Sequence, residues 1–219
     1  MEIFLFRHGQ KEESSGELTK LGREEALIIA ARSLGLTFKS AIAHEVPASQ
    51  ETTRLVSGLD EVEILEDLVS YKLPNSQKYR DDIALANSAG KTLGFHVFKS
   101  GEYEDTEAFT YKRMVANMGA LICRQLVTGG DTAVCAREHY MGTFMYRLLE
   151  LADTREASEY LHDYSMLSEY RDLRDYSMRL SINADEGQIQ VKATDSLGYR
   201  TNRESPLGDI VNFQSNPGS

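Results

Sequence analysis

Glu2-Ile3-Phe4-Leu5-Phe6-Arg7-His8-Gly9 is the stretch on which the fold turns. Its first five residues include β-branched and aromatic side chains and run straight into Arg-His-Gly. That reads as a buried strand ending in a loop. Working outward, Thr19 has the chemistry of a helix N-cap, and Leu21, Ala26, Ile28, Ile29 and Ala30 follow in a helical stretch that stops near Gly35. Lys39 to His44 predicts a second strand, Gln50 to Val56 a helix closed by Gly58, and Val62 to Leu65 a third short strand.

The middle of the chain is less regular. Ser76 to Ala89 predicts a helix with Tyr79, Ile83 and Ala86 inward, and Phe95-His96-Val97-Phe98 reads as a strand or a loop within an inserted cap. From Asp105 to Val127 the apolar spacing is helical, with Met114, Met118, Leu121, Ile122 and Gln125 near one face, and Gly129 and Gly130 end it. Thr132 to Ala136 predicts a strand that delivers Arg137, Glu138 and His139, and a helix covers Met141 to Leu151. Met178 to Asn183 and Gln188 to Ala193 alternate apolar and polar around Ala184-Asp185-Glu186-Gly187, a hairpin signal. The order implies a three-layer α/β/α domain with a mainly parallel sheet and an antiparallel edge hairpin near the C-terminus. The expected organisation is one domain over residues 1–195, a cap insertion around 70–105, and a polar, mobile tail over 196–219.

The totals constrain partners. The chain has 219 residues, suited to one domain with a full core, and a net charge of −10. An acidic surface with no Lys/Arg run disfavours nucleic acid. The absence of a long apolar stretch predicts no membrane span, so a cytoplasmic protein is expected. Cys123 and Cys135 lack metal-site spacing and are expected as buried free thiols.

The chemistry concentrates at two strand ends. His8 follows the first strand and His139 follows the strand at Thr132 to Ala136. In open α/β sheets ligands bind outside the carboxyl ends of strands, where residues distant in sequence meet. One isolated His more often caps a helix or satisfies a loop. Two of them with Arg7, whose fork suits phosphate oxygens, point to a phosphate site. His is a competent nucleophile toward phosphorus, and a second, protonated His can stabilise the transferring charge.

Phe4-Leu5-Phe6-Arg7-His8-Gly9 is similar to the strand and Arg-His-Gly signature of the histidine phosphatases, the phosphoglycerate-mutase-like superfamily. Leu18-Thr19 with Gly22 and Ala26 resembles the Leu-Thr-x-x-Gly-x-x-Gln-Ala segment that follows it, with Glu25 in the place of Gln. Val134 to Tyr140 resembles the second-His strand, with Glu138 and Tyr140 where Ser and Gly are usual. The resemblance implies that His8 attacks a phosphoryl group to give a phosphohistidine, that Arg7 and His139 hold the phosphoryl oxygens, and that a carboxylic acid protonates the leaving oxygen. It implies no metal or other cofactor.

One part of the pattern is absent. The family carries a second arginine in a segment resembling Ser-Pro-x-x-Arg-x-x-x-Thr. Here His44 to Thr53 places Gln50 at that position when Pro47 is aligned, and Ala48 when Thr52 is aligned. Three residues are candidates to compensate: Arg137, expected on the face of its strand that carries His139; His44, at the end of the second strand; and Arg54, about one helical turn beyond Gln50. Each is otherwise an ordinary solvated or paired charge. Glu66 is the acid candidate, beside Asp67, although Ser70 takes the position that best matches the family's Glu. Glu102, Glu104, Asp105 and Glu107 are another source, or a solvated helix start.

Two functions follow. One is a phosphomonoesterase acting through phospho-His8 on a small phosphorylated metabolite or a phosphoprotein. The other is a weak or inactive relative that binds a phosphorylated ligand, a phosphate or sulfate anion, or a protein partner. Gln10-Lys11-Glu12-Glu13 replaces the segment expected in a mutase. A His-carboxylate metal site using His8, His44 and His139 is a third reading. Oligomeric state is not readable from the chain.

Overall fold

The computed structural model describes residues 1–65, 77–89, 111–169, 176–185 and 188–205. Strand β1 (Glu2–Phe6) is followed by α1 (Lys20–Arg32), β2 (Phe38–Ala43), α2 (Pro47–Ser57), β3 (Glu63–Ile64), α3 (Gln77–Ser88), α4 (Tyr111–Thr128), β4 (Asp131–Cys135), α5 (Glu138–Ala152), α6 (Thr154–Glu169), β5 (Ser177–Asp185), β6 (Gln188–Asp195) and β7 (Arg200–Ser205). Together the strands form one sheet in the order β3-β2-β4-β1-β5-β6-β7. The four strands from β3 to β1 pair parallel, and β1 pairs antiparallel with β5, which begins the C-terminal meander. This is the three-layer α/β/α arrangement that the sequence implies, with an antiparallel part of three strands instead of two.

Successive side chains of β1 divide between the two faces of the sheet, as a strand of period two requires. Ile3 and Leu5 join Val134 in the larger core beneath α4, α5 and α6, which supply Met118, Leu121, Phe144, Leu148 and Tyr164. Phe4 and Phe6 join Ala133 and Cys135 beneath Ile29 of α1 and Val56 of α2. A strand apolar on both faces is what a covered parallel sheet needs. Full burial of each large side chain contributes about 1.5–3 kcal/mol.

Three readings need correcting. The tail expected from Ser196 onward contains β7, which pairs with β6 from Thr194↔Arg200 to Ile189↔Ser205. Its strand is made by backbone pairing and a tight turn, both invisible to a composition argument. Asp195 sets the turn, its Oδ1 accepting the N–H groups of Leu197 and Tyr199, each at 3.0 Å. The second omission is α6, where Ala157, Tyr160 and Tyr164 recur at helical spacing and are buried. The third is Cys123, which is exposed, whereas Cys135 is buried as expected. The cap assigned to 70–105 lies mostly outside the described residues; within it, α3 matches the expected helix.

Candidate active site

β1 and β4 run parallel and stop together, with Phe6 paired to Cys135 and the Ala136 amide still donating to the Phe6 carbonyl at 2.9 Å. Arg7 and His8 therefore leave the sheet beside Ala136 and Arg137. β2 is the other neighbour of β4, and His44 directly follows its last residue, Ala43. Three adjacent strand ends thus present the candidate residues at the carboxyl edge of the sheet, where this class of fold binds its ligands.

The loop after β1 is fixed from two sides. The amide of Gly9 donates to the Thr52 hydroxyl of α2 at 3.2 Å, and the amide of Gln10 donates to the buried Glu25 carboxylate of α1 at 2.7 Å. Gly9 and Gly22 meet backbone to backbone: a Cβ on Gly9 would fall 2.1 Å from the Gly22 carbonyl oxygen, and one on Gly22 would fall 2.0 Å from that of Gln10. The Gly at 22 and the acid at 25 thereby acquire a physical role: one permits the approach and the other fixes the loop amide. Thr19 caps α1 as expected, accepting from the Gly22 amide at 2.9 Å.

His8 is half-buried, and its Nδ1 lies 2.8 Å from the Gly9 carbonyl oxygen. With the ring proton on Nδ1 that nitrogen donates to the carbonyl, and the lone pair is left on Nε2. A backbone acceptor that selects the tautomer of a nucleophilic imidazole is a recurring device. The ring of His44, 1% exposed, meets that of His8 edge to face with centroids 5.5 Å apart and planes at 67°. His44 is thus brought to the nucleophile candidate.

Arg137 and His139 are placed differently from the expectation. β4 ends at Cys135, Arg137 is the N-cap of α5 with extended backbone, and His139 is the second residue of that helix. The strand-face argument joining them therefore fails. The physical reason is that β4 loses its partner where β1 ends, and the Tyr140 and Met141 amides then turn back onto the Arg137 carbonyl at 3.0 and 3.3 Å. His139 is buried at 8% exposure, with its ring 6.3 Å from that of Tyr164.

Electrostatics tie both arginines to this edge. Burial pushes the Cys135 thiol up to about 12, opposed by the nearby Ser49 and Thr53 hydroxyls and by the positive charges of Arg7 and Arg137. The thiol is therefore protonated at neutral pH, and two guanidinium groups lie close enough to act on it.

Three of the remaining candidates, Gln50, Ala48 and Arg54, are among the described residues. The Gln50 side chain donates through Nε2 to the Glu45 carbonyl at 2.9 Å, and Ala48 is fully buried, its backbone amide donating to the Gly16 carbonyl at 2.9 Å. Arg54 donates through Nε to the Asp60 carbonyl at 3.2 Å, which fastens the α2–β3 connection. Glu66, Asp67, Ser70 and the Glu102-to-Glu107 acids lie outside the described residues. Among the described residues no three His, Cys, Asp or Glu side chains are placed to hold a metal ion, which counts against the His8, His44 and His139 metal reading. No described helix is long and apolar enough to cross a membrane.

No family model matches the chain, and no curated protein matches it by sequence. Solved structures do match. "Mycobacterial hydrolase 1" is 15% identical, with 93% of this chain and 96% of that one covered at a TM-score of 0.57. A mycobacterial glucosyl-3-phosphoglycerate phosphatase bound to VO3 is 14% identical, with 94% and 98% covered at 0.55. A phosphoserine phosphatase variant from Entamoeba histolytica in complex with phosphoserine is 14% identical, with 96% and 99% covered at 0.54. The chain has the histidine phosphatase fold, phosphoglycerate-mutase-like, over nearly its whole length.

Proposed function

We propose that the protein is a phosphomonoesterase that works through a phosphohistidine at His8. The observation that carries the reading is the hydrogen bond between His8 Nδ1 and the Gly9 carbonyl, at the carboxyl end of the central parallel strand, which leaves Nε2 as the nucleophile. The Nε2 lone pair attacks phosphorus, the bond from phosphorus to the ester oxygen breaks, and a carboxylic acid from outside the described residues, with Glu66 the candidate, protonates the departing oxygen. Water then attacks phosphorus, the P–N bond breaks, and inorganic phosphate leaves with the imidazole restored. Arg7 and His139 hold the phosphoryl oxygens. Arg137, from the N-cap of α5, supplies charge that the uncharged Ala48 and Gln50 positions lack, and His44 packs against the His8 ring. The N-terminal end of α5 carries the positive end of the helix dipole, which favours an anion.

The substrate is a small phosphorylated metabolite or a phosphoprotein; among the fold's neighbours are phosphatases for glucosyl-3-phosphoglycerate and phosphoserine. A net charge of −10 disfavours nucleic acid as a partner. A second reading, a binding module with little turnover, is favoured by the uncharged Ala48 and Gln50. The test is a phosphomonoester panel run beside a vanadate titration. Hydrolysis is expected, with a vanadate-induced rise in melting temperature that is lost in Arg7→Ala and reduced in Arg137→Ala. Vanadate binding without hydrolysis of any ester would favour the binding module, and equal shifts in wild type and Arg7→Ala would put the anion elsewhere.

A further inference from the structure

We infer that Tyr164 is a positioning residue that holds the His139 imidazole in register with the phosphoryl site, an inference that rests on the phosphohistidine reading. The centroids of the two rings are 6.3 Å apart with planes at 60°, within the range of edge contacts between aromatic rings. Tyr164 is fully buried and is seated on α5 at Gly142, three residues beyond His139. A Cβ at Gly142 would fall 2.4 Å from Tyr164 Cζ, so the ring can lie there only because position 142 has no side chain.

Tyr164 is fixed in turn from behind. Its ring meets Tyr176 edge to face, with centroids 5.3 Å apart and planes at 83°. The Tyr176 hydroxyl donates to Asp195 Oδ2 at 2.9 Å and is 2.9 Å from the Tyr160 hydroxyl. Asp195 is itself anchored by the turn amides of Leu197 and Tyr199. Directional bonds therefore determine the Tyr176 rotamer, Tyr176 determines where Tyr164 packs, and Tyr164 closes one side of the His139 ring. The carbonyl of Tyr176 also accepts the Arg7 amide at 3.2 Å, so the backbone of one phosphate ligand is held at the same residue. A group that must meet a phosphoryl oxygen tolerates roughly half an ångström of misplacement, so a displaced Tyr164 ring acts on function through the placement of His139.

The experiment is a cycle on vanadate affinity in the full chain. Tyr164→Leu is expected to weaken binding about tenfold. Tyr164→Phe, which keeps the ring, should stay within about twofold of wild type. In a His139→Ala background, Tyr164→Leu should add nothing. An equal loss in both backgrounds would show a merely structural role and overturn the inference. Gly142→Ala keeps every aromatic ring but displaces Tyr164. It should weaken vanadate as Tyr164→Leu does, and unchanged binding would overturn the inference even where Tyr164→Leu fails to fold or His139→Ala binds nothing. Wild-type protein that binds no vanadate would overturn the phosphohistidine reading and this inference with it, whereas binding with no coupling to Tyr164 would remove only the inference.

Discussion

Replacing Gly22 with alanine opposes two effects of different sign. In the interior of an ordinary exposed helix, Gly→Ala raises stability by about 1 kcal/mol. Gly22 instead faces the loop that carries His8 and Gly9, and the new Cβ would lie 2.0 Å from the Gln10 carbonyl oxygen and 2.9 Å from its nitrogen and carbonyl carbon. An ordinary contact needs about 3.5 Å, so loop and helix must separate by about 1.5 Å. That exceeds what two neighbouring bonds can absorb: Gln10 N–H to Glu25 Oε2 at 2.7 Å and Thr19 N–H to the Gln10 carbonyl at 3.0 Å. The first is charge-assisted and contributes about 2 kcal/mol, the second about 1. Set against the helix gain, the net loss is about 2 kcal/mol, or about 4–8 °C in melting temperature for a chain of this size. Urea denaturation gives the stability, and vanadate titration reports the displaced His8 loop as weakened binding. A Gly22→Ala protein more stable than wild type, with unchanged vanadate affinity, would refute the close-packing argument.

Two further outcomes follow from buried groups. Because burial holds the Cys135 thiol up to about 12, a thiol reagent at pH 8 should label Cys123 alone in the native protein and both cysteines in denaturant; native labelling at Cys135 would contradict that environment. Burial also raises the Asp195 carboxyl above its ordinary range, so the folded chain holds that proton more tightly than the unfolded one. Stability from this group is therefore greatest at low pH and is lost as pH rises from the unfolded pKa, about 3.9, through the raised folded value. Asp195→Asn can still accept the turn amides and lacks this titration. Its stability relative to wild type should improve as pH rises through that window, and parallel pH profiles in urea would count against the raised carboxyl.

The parts of the fold written in local pattern were legible. β1 with its Arg-His-Gly ending, the Thr19 cap and the apolar alternation of β5 and β6 each carry their own signal, and the structure has them. Where an element stops is decided by its neighbour, and there the sequence misleads. Thr132 to Ala136 reads as a strand, with Arg137 and His139 expected on one face of its continuation, because nothing there breaks an extended chain. β4 nevertheless ends where β1 ends, and Arg137, without a side-chain capping bond, begins α5. β7 was missed for the converse reason, since its residues are polar and its pairing comes from a turn organised by Asp195. The proximity of His44 to His8 was foreseeable only as two strand ends on one edge; the 5.5 Å contact depends on β2 and β1 flanking β4.

That topology also divides the support of the site. His8 and Gly9 are fixed by the first half of the chain, through Glu25 of α1 and Thr52 of α2. Arg7 and His139 lean on the C-terminal meander, through the carbonyl of Tyr176 and the ring of Tyr164. The candidate nucleophile and the candidate phosphoryl ligands are thus braced by different elements, α1 and α2 for the first and Tyr176 with α6 for the second. On the proposed mechanism a defect in the α1 contact should act first on His8, and a defect at Tyr176 first on Arg7 and His139. The missing arginine of α2 fits this division. α2 still holds the His8 loop through Thr52, whereas in the proposed mechanism the charge that the segment lacks would come from Arg137 at the N-cap of α5. If Arg137 grips the phosphate from the α5 N-cap as proposed, a lysine there, with a point charge and no fork, would replace its charge but not a two-point grip.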